Sequence, residues 1–229
     1  MNSFASLQTR VALPFPASTE DVYSRVFDAI LDQRIDTTSR FTEESLAQMF
    51  GARRSDIRGV LTQLSHQQVI VLRSNHRPRV ALLDAEQVRQ TLHARRLTEI
   101  TLVRLACQQH RPLALQRLGE LIDRERHCTE RGTSIRLSGE FHSGLAEMAG
   151  NSPLAHFLGS LVTITSLAIA QFEAPLEGDC LWQVHQRILD AVARQDAATA
   201  EALLSAHLDH VQAVLMNSAP IFSKNSVAG

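Results

Sequence analysis

Cysteine, lysine and aromatic side chains are scarce in this sequence of 229 residues. Its three cysteines, Cys107, Cys128 and Cys180, lie far apart and form no CxxC pair, so we expect neither a zinc ribbon nor a redox centre. We expect the protein to lie in a reducing cytoplasm. The N-terminus has no basic start followed by an apolar core and a cleavage site, which argues against export. One Trp, one Tyr and nine Phe, beside abundant Leu and Ala, favour helices over sheets.

Motifs that would indicate catalysis or a membrane span are also missing. The sequence has no H-E-x-x-H, no G-x-S-x-G and no glycine-rich phosphate loop, which disfavours an enzyme. The apolar run at residues 154–170 is short for a bilayer and contains His156, Thr163 and Thr165. We therefore predict a buried helix there, and no membrane partner.

The net charge of −1 conceals an uneven distribution of charge along the chain. Residues 1–81 carry ten arginines against eight acids, whereas residues 82–229 carry thirteen basic residues against sixteen acids. Six arginines and a single acid, Asp56, lie within residues 53–79. This concentration predicts a surface that binds a polyanion. Because 22 of the 23 basic residues are arginine, an ordinary solvated face that reflects genome composition is the alternative.

The first part of the chain shows three short helical patterns followed by two β-favouring runs. We predict helices from a cap at Ser18 to Leu31, from a cap at Thr42 to Gly51, and across residues 55–66. Residues 69–72 and 80–82 predict a hairpin, since Ser74, Asn75 and Pro78 between them favour a turn. This order is typical of a winged helix-turn-helix, in which the third helix enters the major groove of DNA.

The rest of the chain has helical periodicity almost to its end. Six helices are predicted, at residues 86–109, 113–128, 135–149, 153–172, 180–195 and 197–215, with one of the breaks at Arg131-Gly132. Short connections of this kind indicate an antiparallel helical bundle. The predicted fold is therefore mainly α, with a winged-helix domain at residues 1–81 and a helical domain at 82–229. Residues 1–17 read as a flexible arm and 218–229 as a frayed tail.

The second and third predicted helices resemble the GntR family of bacterial regulators. The matching stretches are Phe41-Thr42-Glu43-Glu44-Ser45-Leu46-Ala47 and Gly51-Ala52-Arg53-Arg54-Ser55-Asp56-Ile57-Arg58. The resemblance implies DNA binding, with Arg54 and Arg58 as the leading contacts, then Arg53, Ser55 and Arg77, and with Thr42 or Glu44 as further contacts. Asp56 replaces the usual Thr or Pro and should repel phosphates, and Asn75-His76-Arg77 replaces a glycine at the wing tip, so the preferred DNA sequence is expected to differ.

Three histidines, His142, His185 and His207, lie inside predicted helices of the second domain. Their surroundings follow F-H-x-x-L-x-x-x-A-x-N, H-x-x-I-x-x-A and H-L, and so resemble the FCD ligand-binding domain of the FadR subfamily. The resemblance implies one divalent metal ion (Zn, Ni or Mn), held by the three histidines and an Asp four residues before the first one, with a small carboxylate as effector. Ser138 occupies that Asp position. It should face the same pocket as His142 but is a poor ligand.

The residues leave two interpretations of this pocket open. Three imidazoles with water or an effector carboxylate make a sound tetrahedral zinc set. Alternatively, neutral histidines bind an organic acid directly, with help from Arg104 or Arg136. The sequence does not favour Glu140 as a replacement ligand, because it lies on another side of the helix from Ser138. His210 is a weaker candidate, the remaining histidines are expected on surfaces, and Arg95 and Glu99 at i, i+4 are predicted to form a helix-surface pair.

These observations predict a cytoplasmic, one-component transcription factor. It binds a palindromic operator as a homodimer, because two recognition helices read enough bases for useful specificity. By default it is a repressor released by a metabolite, as the resemblance implies. The alternatives are a metal-dependent hydrolase built on the three histidines and a non-catalytic helical scaffold.

Overall fold

The computed structural model describes residues 19–109, 111–172 and 181–218. The predicted arm at 1–17, the cap at Ser18, the predicted break at 175–178, Cys180 and all but the first residue of the predicted tail lie outside these ranges. Within them, the chain is almost entirely helical. The elements are α1 (Thr19–Leu31), α2 (Glu43–Phe50), α3 (Arg54–His66), β1 (Ile70–Val71), β2 (Arg79–Val80), α4 (Ala85–Ala106), α5 (Pro112–Arg126), α6 (Arg131–Met148), α7 (Ser152–Gln171), α8 (Leu181–Ala193) and α9 (Ala197–Asn217).

Helix α2 begins and ends where its local sequence predicts. Thr42 Oγ1 accepts a hydrogen bond from the Ser45 amide at 3.1 Å, and Ser45 Oγ accepts one from the Thr42 amide at 2.9 Å. This reciprocal capping box satisfies two amide groups that would otherwise lack partners. Gly51 ends the helix with a left-handed backbone, at φ 60°. Helix α3 follows after three residues and buries Ile57, Val60, Leu61 and Leu64.

The wing is an antiparallel hairpin that is shorter than predicted. Ile70 pairs with Val80, and Val71 pairs with Arg79, so each strand has only two residues. Pro78 has no amide to donate, which stops the ladder from extending toward the tip. Asn75 provides the turn with a left-handed φ of 61°.

Helix α6 begins at Arg131, so the break predicted at Arg131-Gly132 is wrong. Gly132 serves close packing instead of ending a helix. Its amide donates to Asp32 Oδ1 at 2.5 Å, and a Cβ at this position would lie 2.6 Å from the carbonyl oxygen of Asp28. Only glycine permits such an approach between α6 and α1.

Helix α7 is, among the described helices, the one long and apolar enough to cross a bilayer by length and composition. A buried core helix passes the same test, and 56% of its most apolar window is buried within the protein. Its central residues pack against α4 and α6. This agrees with the buried helix predicted from the sequence.

Two hydrophobic cores organise the molecule. The first joins the winged helix to the bundle, since Val26 and Ile30 of α1 share it with Ile135 of α6 and Leu167 of α7. The second fills the bundle interior between α4, α5, α6, α8 and α9. The segment between β2 and α4 is also bound to α7. Gln171 donates to the carbonyl of Ala81 at 2.5 Å and accepts from the amide of Leu83 at 3.1 Å.

Candidate metal centre and nucleic-acid interface

His142 of α6, His185 of α8 and His207 of α9 meet inside the bundle, and we call them the histidine cluster. The ring centroids of each pair lie 5.2 Å apart, so the three rings form a nearly equilateral triangle. One nitrogen atom from each ring lies within 4.8 Å of the others. All three side chains are buried, with at most 6% of any residue exposed.

Two buried glutamates orient the cluster. Glu99 Oε2 lies 2.7 Å from Nδ1 of His142, and Glu125 Oε2 lies 2.8 Å from Nδ1 of His185. A carboxylate can only accept, so each Nδ1 carries the proton and each Nε2 keeps its lone pair. Among the described residues, the Nε2 atoms of His142 and His185 are buried without a hydrogen-bond partner. Each of these two buried lone pairs can therefore accept a hydrogen bond or coordinate a cation.

The charges of this region favour neutral imidazoles. Burial lowers the pKa of His142 to about 4, although Glu99 acts in the opposite direction. Burial also lowers the pKa of His207 well below its usual value, and the neighbouring His142 and His185 add to this effect. For Glu99, burial alone would raise the pKa, but Arg95 and His142 together hold it at about 2. The Glu99 carboxylate is charged, while the His142 ring that it supports is neutral.

The donor set fits a divalent metal ion. Imidazoles whose second nitrogen is hydrogen-bonded to a carboxylate, as in His142 and His185, are typical ligands of zinc, and with His207 they would leave a fourth position for water or an exogenous carboxylate. The two unpartnered Nε2 atoms are the groups that such an ion would satisfy. Ser138 lies about one turn before His142 on α6 and is partly buried, and its place in the site stays a prediction.

Both arginines predicted to bind the effector are paired with carboxylates. Arg104 is exposed and forms two hydrogen bonds, of 2.5 and 2.6 Å, with Glu201. Arg136 is bonded to Asp28 of α1 and to Glu140, one turn later on α6. A contact of either arginine with an effector stays a prediction. Glu140, which was not expected to be a metal ligand, accepts a hydrogen bond from Arg136.

Arg95 and Glu99 form a buried pair, so the predicted surface pair is wrong. Both residues are only 3% exposed, and they are hydrogen-bonded to each other. Glu125 was not predicted at all. It continues the buried face of α5 that Leu118 and Ile122 form at spacings of four and three residues. A glutamate on an apolar face was the signal in the sequence that a buried partner exists.

The other described histidines are exposed. For His66, His76, His93, His127 and His156 this agrees with the prediction, and His210, the weaker candidate ligand, is exposed as well. His110 lies outside the part of the chain that the structure describes. The histidine cluster is therefore the place where imidazoles converge among the described residues.

The predicted DNA-binding residues lie together on the exposed start of α3 and in the wing. Arg53, Arg54 and Arg58 have side chains that are 73%, 60% and 67% exposed. Ser55 beside them and Arg77 in the wing are exposed as well. Thr42 and Glu44, at the start of α2, are exposed on the neighbouring helix. The arrangement suits a surface that lies in a groove of DNA.

Each of the three α3 arginines is paired with a carboxylate. Arg58 contacts Glu43 through two hydrogen bonds, of 2.9 and 2.8 Å, and these lower the pKa of Glu43. Arg54 lies 2.9 Å from Glu44.

Arg53 donates to Asp56 at 2.9 Å, and this bond lowers the pKa of Asp56. Asp56 was expected to repel phosphates. Its charge is instead compensated by Arg53 beside it.

A cleft of about 1060 Å³ separates the winged helix from the bundle. One wall is formed by α1 and α3, including Tyr23 and Gln67, whose side chains are hydrogen-bonded at 2.8 Å. The other wall is formed by α6 and α7, including Ser143 and Thr163. The cleft borders Arg136 at the contact with α1.

Comparison with known proteins identifies relatives of the whole fold. The model of the FCD domain family matches residues 90–210, which is more than half of the chain. The chain is 27% identical over 201 residues to the HTH-type transcriptional regulator LutR of Bacillus subtilis (strain 168), covering 75% of this chain and 89% of that protein. It is 26% identical over 195 residues to the HTH-type transcriptional repressor NanR of Cronobacter sakazakii (strain ATCC BAA-894), covering 74% of each.

Solved structures share the fold at low sequence identity. E. coli McbR/YncC matches with a TM-score of 0.69 and 16% identity, over 86% of this chain and 96% of that one. A GntR regulator from Rhodococcus sp. RHA1 matches with a TM-score of 0.68 and 19% identity, over 86% of this chain and 97% of that one. The predicted winged helix followed by a helical bundle is confirmed.

Proposed function

The chain belongs to the GntR family of transcriptional regulators with an FCD domain, and from this premise we propose that it represses transcription from a palindromic operator until a small carboxylate binds the histidine cluster. Like these relatives, it is a transcriptional regulator and not an enzyme. The observation that carries the proposal is that the buried Nε2 atoms of His142 and His185 have no hydrogen-bond partner among the described residues, in a cluster that His207 completes.

The arginine surface of α3 supplies the DNA-binding half of the proposal. Arg54 and Arg58 bind phosphates or guanine edges in the major groove, with Arg53, Ser55 and Arg77 flanking them. Two such surfaces related by a two-fold axis read an inverted repeat, so the active species is a homodimer in the cytoplasm. The relative NanR is named a repressor, which supports the same sign of regulation here.

The histidine cluster supplies the sensing half. His142, His185 and His207 would hold one divalent metal ion, which would supply positive charge for the carboxylate of the effector. Glu99 and Glu125 fix the ring orientations and keep each Nε2 available. Arg95, buried beside Glu99, keeps positive charge close to the site. In a metal-free alternative, the Nε2 atoms of His142 and His185 accept hydrogen bonds, so the organic acid binds them through a hydroxyl group or a protonated carboxyl group.

Regulation follows from linkage between the two halves. An effector that binds the bundle more tightly in one arrangement of the winged helices shifts the population toward that arrangement. The affinity for the operator must then change by the same factor as the affinity for the effector. Release of the operator on effector binding is the expected direction.

Two measurements test this function. Protein purified without a chelator or an affinity tag that binds metal should contain about one equivalent of Zn, Ni or Mn per chain by elemental analysis. Fluorescence anisotropy should show tight binding of a duplex from the region upstream of its own gene, and a scrambled duplex of equal length is the control. A folded, metal-free protein would favour the direct hydrogen-bonding pocket, and equal affinity for both duplexes would refute a specific operator.

A further inference from the structure

Helix α6 contacts both functional regions of the molecule. His142 lies in its C-terminal half, within the histidine cluster. Gly132, Thr133 and Arg136, near its start, are hydrogen-bonded to Asp28 in α1 or to Asp32 directly after it. Arg136 and His142 are six positions apart on this helix, a distance of about 9 Å along its axis. A movement of His142 can therefore be transmitted to α1 through a single rigid helix, α6.

The contact between α6 and α1 is polar and specific, and we call it the joint. Asp28 accepts from Arg136 at 2.6 and 3.0 Å, and from Thr133 Oγ1 at 3.1 Å. Asp32 accepts from the amide of Gly132 at 2.5 Å. The Arg136 and Asp28 side chains are only 11% and 13% exposed, so solvent screens this ion pair weakly.

The joint is packed at one end of α6 and open at the other. At Gly132 there is no space for a methyl group between α6 and α1. Further along the same face of α6, Gly139, Ser143 and Glu147 border the cleft of about 1060 Å³, with α1 and α3 on its far side. Such a geometry lets the winged helix rock about the joint, because its recognition helix α3 is not packed against α6 across the cleft.

We propose that the Asp28–Arg136 contact transmits occupancy of the histidine cluster to the winged helix, by fixing α1 to the helix that carries His142. This inference rests on the proposed function, because it concerns how the same site regulates DNA binding. Asp28 and Arg136 are positioning residues, since they touch neither the cluster nor the exposed arginines of α3. Breaking their contact leaves both binding sites in place and removes the communication between them.

The test uses the full chain, Zn²⁺ alone as the probe, and a duplex that the wild type selects from a randomised pool. Anisotropy gives the operator Kd of wild type and of Asp28→Asn, each with saturating Zn²⁺ and with chelator. In the wild type, we expect the Kd with Zn²⁺ and the Kd with chelator to differ by fivefold or more. In the variant, we expect them to agree within about twofold. Competition with a chromophoric chelator should show unchanged Zn²⁺ affinity.

A second variant and a control guard against a trivial loss of structure. Gly132→Ala should also uncouple the sites, because its methyl group would push α6 away from α1. Glu201→Gln removes a carboxylate that is paired with Arg104 between α4 and α9, remote from the joint, and should keep the wild-type ratio. Circular dichroism checks that each variant is folded.

Hydrogen exchange gives a readout that does not depend on DNA. Zn²⁺ should slow or speed amide exchange in residues 19–31 of the wild type and of Glu201→Gln, but not of the two joint variants. Joint variants that keep the wild-type ratio would overturn the inference, as would a wild type that binds Zn²⁺ and operator with no coupling. A wild type that binds no Zn²⁺ or no operator overturns the proposed function, and the direct isotherms show which failure has occurred.

Discussion

Nδ1 of His142 lies 2.7 Å from Oε2 of Glu99, and the same glutamate is hydrogen-bonded to Arg95 inside the bundle. One carboxylate thus sets the proton position on a candidate ligand and compensates a buried cation. Glu125 makes the first of these contacts with His185, at 2.8 Å. Glu125 orients a ring, whereas Glu99 orients a ring and also compensates the charge of Arg95. Variants of the two glutamates can therefore separate the effect of ring orientation from the effect of buried charge.

Glu125→Gln should weaken metal binding by about 10- to 100-fold, because an amide does not fix the His185 tautomer as a carboxylate does. Chelator competition with Zn²⁺ measures this directly. The exposed pair of Glu86 and Arg89 offers the control variant Glu86→Gln, which should bind Zn²⁺ as the wild type does. Equal affinities for wild type and Glu125→Gln would show that the glutamate does not support the ligand.

Glu99→Gln should lower the free energy of unfolding by about 3–5 kcal/mol, because it leaves the charge of Arg95 buried without a partner. Guanidinium denaturation of the metal-free protein gives the value. In contrast, Glu201→Gln breaks a partly exposed pair with Arg104 and should cost less than about 1 kcal/mol. A loss for Glu99→Gln as small as that of the control would contradict the importance of the buried pair.

The metal-free protein should lose stability as the pH falls from about 6.5 toward 4. Burial holds the pKa of His142 at about 4 in the folded chain, against about 6.5 when unfolded, so the unfolded state binds the extra proton in this range. His142 alone accounts for about 2 kcal/mol by pH 5. Denaturation in the presence of chelator at pH 7 and pH 5 measures the difference. His142→Gln should show a smaller loss, and an identical loss would assign the effect to other groups.

Arg58→Ala should weaken operator binding by about 1–3 kcal/mol, because the side chain is exposed on α3 and available to a guanine or a phosphate. Its pairing with Glu43 positions the guanidinium without burying it. Arg89→Ala removes an exposed arginine that is also paired with a glutamate, and should leave operator affinity unchanged. Anisotropy titrations that give Arg58→Ala the wild-type Kd would remove Arg58 from the contact surface.

Ser138→Asp should tighten metal binding, since it adds a carboxylate about one turn before His142 on the same side of α6. Ser143→Asp makes the same change on the face of α6 that borders the cleft, and should give no gain. Both are measured by chelator competition. No gain for Ser138→Asp would mean that Ser138 does not face the histidine cluster.

The sequence determined the helices, the hairpin and the identity of the clustered histidines. Apolar spacing and local caps such as Thr42 with Ser45 act within a few residues, so they can be read from a short stretch of chain. The same local signals misled at Gly132, where a glycine inside a helix looks like a break unless the neighbouring α1 is known.

Only the tertiary structure decided which groups meet. Glu99 and His142 are 43 residues apart, Glu125 and His185 are 60 apart, and Arg136 lies 108 residues from its partner Asp28. Which side chains of packed helices meet depends on crossing angles and axial register, which local propensity does not encode. For that reason, the sequence located the three clustered histidines, whereas the carboxylates that orient two of them and the joint between the domains emerged from packing.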